Sequence, residues 1–473
     1  MQQDDRLKFS VNANPTTRRA AKQSLATSFR LCSAEGVAAM PIVSMSLPVN
    51  VVLAALFTKV YALPAGMIGL LAALPFVCNF LQIGVTPLLA RWRSPKTVSL
   101  TFGTLHMCGW IAFIVLLQTL PPGDGERAGR WFAAWFFITS LFGSVTGVSW
   151  NAWVQEWVPG RLRGKYFGRR NRLLQLSSLC FWLLAGWSLS RWDYAIPAFQ
   201  LLAAGAVVLR ALSIWLQIRM PTGARFDTGG DRLPLREQLR TVLAARSFRT
   251  FILFGAVWSF AANCFGPFYH VFMFRHLGMS AFEVGLLATT AALGGALSMP
   301  GWGALLDRFG NKAVMTVSLI LWQGQNLLWC ILTPDNRELL YGMWAWGGIT
   351  SAGFVLGLFT LQLKLIPTKA KNLAIGCNLA LTSLVAAIAP ALGGAVLETL
   401  LARSGNPLSV YHLCFLAQPV IALSGAFLLL RVHEPAAASL GHVVGAMRNI
   451  RTLSGIFGLG FLADYIFYRP NRR

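Results

Sequence analysis

The sequence predicts an all-α membrane protein with twelve transmembrane helices arranged as two pseudo-symmetric six-helix bundles. Three observations predict it. The 473 residues are 55% hydrophobic and only 12% charged, with a mean hydropathy of +0.56, against roughly a quarter charged in an ordinary soluble domain. Apolar runs that approach or exceed the roughly 20 residues needed to cross a bilayer recur twelve times between charge clusters. Those clusters also alternate: 33 of the 41 Lys and Arg fall on one side, counting Arg431 at the end of the last span, and 7 on the other, with Arg210 alone in a span's interior. Adding or removing one central helix would destroy that asymmetry.

The first run, near 32–58, follows Arg30 and ends at Lys59; the second, 64–89, stops before Arg91. The third spans 98–119 and the fourth 131–157, up to a basic stretch that begins at Arg161. The fifth, 173–190, lies between Arg172 and Arg191, and the sixth, 195–218, ends at Arg219. The second set follows at 250–274, 281–306, 313–333, 338–363, 372–398 and 408–431. The chain divides into a cytoplasmic tail (1–30), a first bundle (31–218), a cytoplasmic linker (219–249), a second bundle (250–431) and a cytoplasmic or interfacial tail (432–473). The linker carries Pro221, Gly223, Gly229, Gly230 and Pro234 before Leu235–Arg246, a pattern that suits a short surface helix. Leu453–Tyr468 is too short and too polar for a normal span and reads as interfacial rather than as a thirteenth helix.

By the positive-inside rule both termini are cytoplasmic and the chain sits in the plasma (inner) membrane. The formal charge of +24 is then a topology signal, and no nucleic-acid partner is expected. The first 30 residues show no apolar stretch followed by a small-residue cleavage site, so the first span is expected to target the chain. The eight cysteines stand singly in apolar surroundings, with no CxxC and no His at ligand spacing. No metal, disulfide framework or cofactor is expected. The two halves echo each other: Gly69-Leu-Leu-Ala72 recurs as Gly285-Leu-Leu-Ala288, each near the start of the second span of its half.

Between the eighth and ninth spans stands Gly303-Ala-Leu-Leu-Asp307-Arg308-Phe-Gly310-Asn-Lys312. It resembles the GxLxDRxGxK loop of the major facilitator superfamily. The matching loop of the first half, Thr86 to Lys96, has Ala90 in place of the acid and one extra residue. Glu156-Trp-Val-Pro159-Gly-Arg161-Leu-Arg163-Gly164 is similar to the ExxPxxxRG element of sugar porters, and its partner in the second half begins at Lys364. The resemblance implies that each such loop faces the glycine-acid loop of the other half. Asp307 would then meet Glu156, Arg161 and Arg163, whereas Ala90, Arg91 and Arg93 would meet Lys364, Lys369 and Lys371 without an ionic lock. Gating thus falls to Gly303, Asp307, Arg308, Gly310, Glu156 and Arg163. The competing reading is that the cations only set topology; the Arg161–Arg172 run could also hold anionic lipid headgroups.

Polar residues within spans should face a central crevice, because lipid exposure without partners is costly. On the fourth span Ser140, Ser144, Asn151 and Gln155 share one face, as do Ser259, Asn263, Gly266 and His270 on the seventh. Glu35, Ser46 and Asn50 on the first, and Trp344, Gly348 and Ser351 on the tenth, do likewise; Asn378 and Thr382 pair on the eleventh. The resemblance puts the first, fourth, seventh and tenth spans along the transport path. Substrate candidates are Ser144, Asn151, Gln155, Asn263, His270, Trp344, Ser351 and Asn378; helix-to-helix bonding is the alternative for each. Glu35 is a proton-coupling candidate or the partner of a loop arginine. Arg210 is expected to snorkel or to form a structural pair, with binding of an anionic solute as the third reading.

The resemblance implies a monomeric secondary transporter of a small organic solute, with a sugar-like solute as one reading, acting as symporter or antiporter with protons or sodium, or as a facilitator. An exporter of amphiphilic drug-like molecules and a non-transporting sensor with the same fold are the alternatives. No GxxxxGK[ST] loop supports ATP-driven transport, and no HExxH, GxSxG or paired intramembrane acids support an enzyme.

Overall fold

The computed structural model describes residues 15–48, 50–90, 94–158, 160–222, 234–434 and 439–447. The described chain is helical throughout, joined by short turns. The first half comprises α1 (Pro15–Met45), α2 (Val51–Ala55), α3 (Ala65–Ala90), α4 (Pro95–Thr119), α5 (Gly125–Trp157), α6 (Gly160–Arg191) and α7 (Ile196–Ile218). A linker helix, α8 (Leu235–Ala244), follows. The second half comprises α9 (Arg246–Cys264), α10 (Phe268–Arg275), α11 (Ala281–Phe309), α12 (Asn311–Asn326), α13 (Leu339–Leu365), α14 (Lys371–Arg403) and α15 (Pro407–Leu430), with α16 (Leu440–Met447) after it. Eleven segments among the described residues are long and apolar enough to cross a membrane. The twelfth expected span is α1 with α2, which is interrupted.

Pro48, which has no backbone N–H to donate, lies at that interruption. Asn50 organises it: its Nδ2 donates to the carbonyls of Met45 (3.0 Å) and Leu47 (2.8 Å), and its Oδ1 accepts from the Leu53 N–H (2.9 Å), capping α2. The seventh span breaks likewise between α9 and α10, at Phe265-Gly266-Pro267. Both breaks alter the sequence reading. A continuous helix was the premise for placing Asn50 on one face with Glu35, and His270 on one face with Asn263; each pair is separated by a break. The fifth span is also longer than expected, since the basic stretch after Pro159 is already helical in α6.

The face bearing Pro15, α8 and α16 is called here the terminal face, and the opposite one the distal face. Lys96 and Lys312 hold matching places on the terminal face. The Lys96 ammonium donates to the carbonyls of Ile218 (2.9 Å) and Met220 (2.6 Å), and that of Lys312 to Leu430 (3.3 Å) and Val432 (3.1 Å). Each lysine satisfies carbonyls left over at the end of its half's last long helix.

The repeated Gly-Leu-Leu-Ala string lies where the halves touch. A Cβ on Gly69 of α3 would sit 2.2 Å from the Pro390 carbonyl oxygen of α14, and one on Gly285 of α11 would sit 3.1 Å from the Trp182 carbonyl oxygen of α6. Gly394 and Gly186 complete the two crossings from the other side. Small residues let these helix backbones approach closely. Hydrogen bonds join the halves at the same level: Arg275 to the Leu63 carbonyl (3.0 Å), the Ala281 N–H to Tyr194 Oη (3.0 Å) and the Phe282 N–H to Ser190 Oγ (3.2 Å). All lie on the distal face. Among the described residues, no hydrogen bond joins the two halves on the terminal face.

Candidate functional site

Inside the first half, α1, α5, α6 and α7 enclose a polar network around Glu35. Arg170 Nη2 lies 3.0 Å from Glu35 Oε1, which also accepts from Trp150 Nε1 (3.0 Å). The other carboxylate oxygen accepts from Ser213 Oγ (3.3 Å) and Gln217 Nε2 (3.0 Å). The guanidinium of Arg170 lies over the Trp150 ring at 4.4 Å, and its Nε donates to the Cys32 carbonyl (3.1 Å). A charge removed from water needs this kind of saturation. Read from the sequence, Glu35 is a proton carrier or the partner of an unnamed loop arginine, Arg170 belongs to a basic run open to lipid headgroups, and Ser213 and Gln217 are not singled out. The signal was present: Arg210, Ser213 and Gln217 recur at i, i+3 and i+7 on α7.

Arg210 does not snorkel. It is 4% exposed, packs against Gly103 of α4, and reaches Ser213 Oγ at 3.4 Å. Beyond it His106, also buried, holds Ser46 Oγ (3.0 Å) and Trp110 Nε1 (3.3 Å) on its Nε2. His106 was not anticipated, because a single histidine in an apolar run carries no pattern.

The expected path-lining residues lie in varied surroundings. Ser144 donates to Asn79 Oδ1 of α3 (2.9 Å), Asn151 is exposed, and the side chain of Gln155 lies outside the described residues. Asn263 is half-buried and donates to the Ser259 carbonyl (2.8 Å); His270 is half-buried on α10. Trp344 packs against the main apolar core, and Ser351 Oγ donates to the Gly348 carbonyl (3.2 Å). Gly348, between them on the same face, is pressed against the Ala291 carbonyl of α11, so part of this face is a helix contact. Asn378 lies opposite Gly255 of α9, 3.8 Å from where a Cβ would stand.

In the loop motif, Gly303 lies beside Leu356, Asp307 is exposed, and Arg308 lies over the Phe309 ring at 5.0 Å. Gly310 has φ +85°, which only glycine adopts freely. Asp307 has no ion pair among the described residues. The side chains of Glu156, Arg161, Arg163 and Ala90, and all of Arg91 and Arg93, lie outside them. Lys364, expected to meet Ala90, Arg91 and Arg93 without an ionic lock, pairs within its own half with Glu434 at 3.1 Å, while the side chains of those expected neighbours lie outside the described residues. Glu434 also accepts the backbone N–H groups of Asn311 (3.1 Å) and Lys312 (2.7 Å) at the start of α12. Burial would raise this carboxyl's pKa, yet those two N–H groups and the Lys364 ammonium outweigh it and hold the pKa below its ordinary value. The sequence did not reveal the acid because it lies past the last span, more than a hundred residues from its α12 partners.

Among the described residues, no group of three His, Cys, Asp or Glu could hold a metal ion. The sequence model described as the Major Facilitator Superfamily matches residues 256–468. The second half of the chain thus carries the sequence signature of that superfamily. Solved structures extend the likeness in fold across both halves. A mutant form of the nucleoside transporter NupG superposes with a TM-score of 0.67 at 14% identity, covering 86% of this chain and 100% of that one. A D-xylose–proton symporter gives 0.67 at 11%, covering 87% and 98%. A bacterial homolog of the human lysosomal transporter Spinster, inward-facing and unoccupied, gives 0.63 at 15%, covering 88% and 99%. No curated protein matches the sequence. At these identities the structural neighbours speak to the fold alone.

Proposed function

We propose that this protein is a major facilitator secondary transporter that moves a small, largely uncharged organic solute, sugar-like or nucleoside-like, by rocking its halves about a central site. The observation that carries this reading is the closure of the distal face. Glycine crossings and four hydrogen bonds join the halves on the distal face, counting that from Gly66 to Glu398 (2.6 Å). A two-state element closed at one end is what alternating access requires. With both termini cytoplasmic, as the 33 to 7 split of basic residues argues, the distal face, closed in this structure, is external.

Polar side chains at Asn151 and Asn263, with half-buried His270 and few charges nearby, suit hydrogen bonding to hydroxyls and ring nitrogens. The neighbours named for nucleosides and D-xylose support the same solute class. Glu35 serves as a structural anion in this reading, because both its oxygens are already engaged inside the first half. Counterflow in proteoliposomes tests the proposal. Vesicles preloaded with unlabelled uridine or D-xylose should accumulate the labelled solute transiently. Saturable binding of these solutes with no exchange would replace the transporter with a sensor.

A further inference from the structure

We propose that Glu398 is the latch of the distal gate, an acid of the second half that holds the first half shut through the start of α3. The inference rests on the alternating-access reading and assigns the closed face its switch. Glu398 Oε2 accepts the backbone N–H of Gly66 at 2.6 Å. The first N–H groups of a helix have no partner within it and carry partial positive charge, so a carboxylate there replaces water and meets the helix dipole. A Cβ on Gly66 would stand 2.6 Å from that oxygen and push the carboxylate back from the N–H.

The contact belongs to a built surface. Pro390, Gly394 and Glu398 recur every fourth residue along one face of α14. A Cβ on Gly394 would stand 3.2 Å from the Gly66 Cα, and the Pro390 carbonyl meets Gly69. The glycines fix how closely the helices cross, and the acid adds a polar bond that water can take over. Beside it an open cleft of about 490 Å³, lined by Gly66, Ala395, Glu398, Thr399, Ala402 and Arg403, lets solvent reach the carboxylate. Tilting of the halves therefore rehydrates Glu398 instead of stranding it in lipid. On the terminal face the exposed Asp307, also of the second half, stands without an ion pair among the described residues while Glu398 is engaged.

Hydrogen–deuterium exchange of the full chain in lipid nanodiscs, read by mass spectrometry, tests the latch. A surface charge at a helix N-terminus changes a two-state ratio by about two- to fivefold. Glu398→Gln should therefore speed exchange by that factor in peptides covering the start of α3 and the end of α14. It should slow exchange around Asp307 in return, because one face closes as the other opens. Gly69→Val, which forces a side chain against the Pro390 carbonyl, should give the same reciprocal pattern more strongly. Unchanged exchange in Glu398→Gln, or faster exchange at α3 alone with none slowed near Asp307, overturns the proposal. So does a reciprocal shift in Gly69→Val that Glu398→Gln lacks. If Glu398→Gln shows the reciprocal shift while the parent exchanges no solute, the latch stands and the transport reading fails.

Discussion

Arg170 and Glu35 form an ion pair that closes the first half upon itself: 3.0 Å separates Nη2 from Oε1, and neither side chain is more than 8% exposed. Breaking a buried pair leaves a charge without compensation and costs about 3–5 kcal/mol. Glu35→Gln, which strands Arg170, should therefore lower the thermal unfolding midpoint markedly in detergent. Glu35→Gln combined with Arg170→Met should recover part of the loss. Unchanged stability in Glu35→Gln, together with selective loss of pH-driven solute accumulation, would return Glu35 to the role of proton carrier.

Glu434 supports a prediction in pH. Its folded-state pKa lies below the ordinary 4.5, so the group adds stability above that value, and the gain disappears as pH falls through the depressed folded pKa. Glu434→Gln should be less stable than the parent at neutral pH by about 1 kcal/mol, the worth of a helix cap. The two melting curves should converge on acidification below pH 4.5. A gap that is the same at pH 7 and below pH 4 would show that the carboxylate's charge is not what holds α12.

The glycine-acid loop separates two kinds of glycine. Gly310 holds φ +85° in the turn from α11 to α12, a backbone that costs an L-residue roughly 1 kcal/mol or more. The nearest neighbour of a Cβ on Gly303 would be the tip of Leu356, 3.9 Å away. Gly310→Ala should destabilise the protein measurably, and Gly303→Ala should leave its melting temperature within about a degree. Equal losses would place a close contact at Gly303.

Span number, the division into halves and the repeat were legible because hydropathy and charge alternation are local properties summed over many residues. The twin roles of Lys96 and Lys312 were half visible. Their places in the loop pattern could be read, but their carbonyl partners lie at the far ends of other helices. What escaped was whatever depends on helix continuity or distant pairing. Angles drawn through Pro48 and Pro267 joined residues that breaks separate. Glu35 was conspicuous as a charge in an apolar run and the polar face of α7 was visible beside Arg210, yet nothing in the sequence joined the two or named Arg170 as the arginine.

Asp307 gives the last prediction. It is exposed at the end of α11 and has no ion pair among the described residues, so removing its charge costs the distal-closed state little. Any partner it gains when the terminal face closes would be lost in Asp307→Asn. The variant should therefore melt within about 0.5 kcal/mol of the parent, as surface changes usually do, while its population shifts toward the distal-closed form. Single-cysteine variants at positions flanking the two faces, labelled with a membrane-impermeant maleimide, read that shift. Labelling should fall on the distal side and rise on the terminal side. Equal labelling of both sides in variant and parent would leave Asp307 as a topological turn residue, with the basic loops around it acting only to orient the chain in the bilayer.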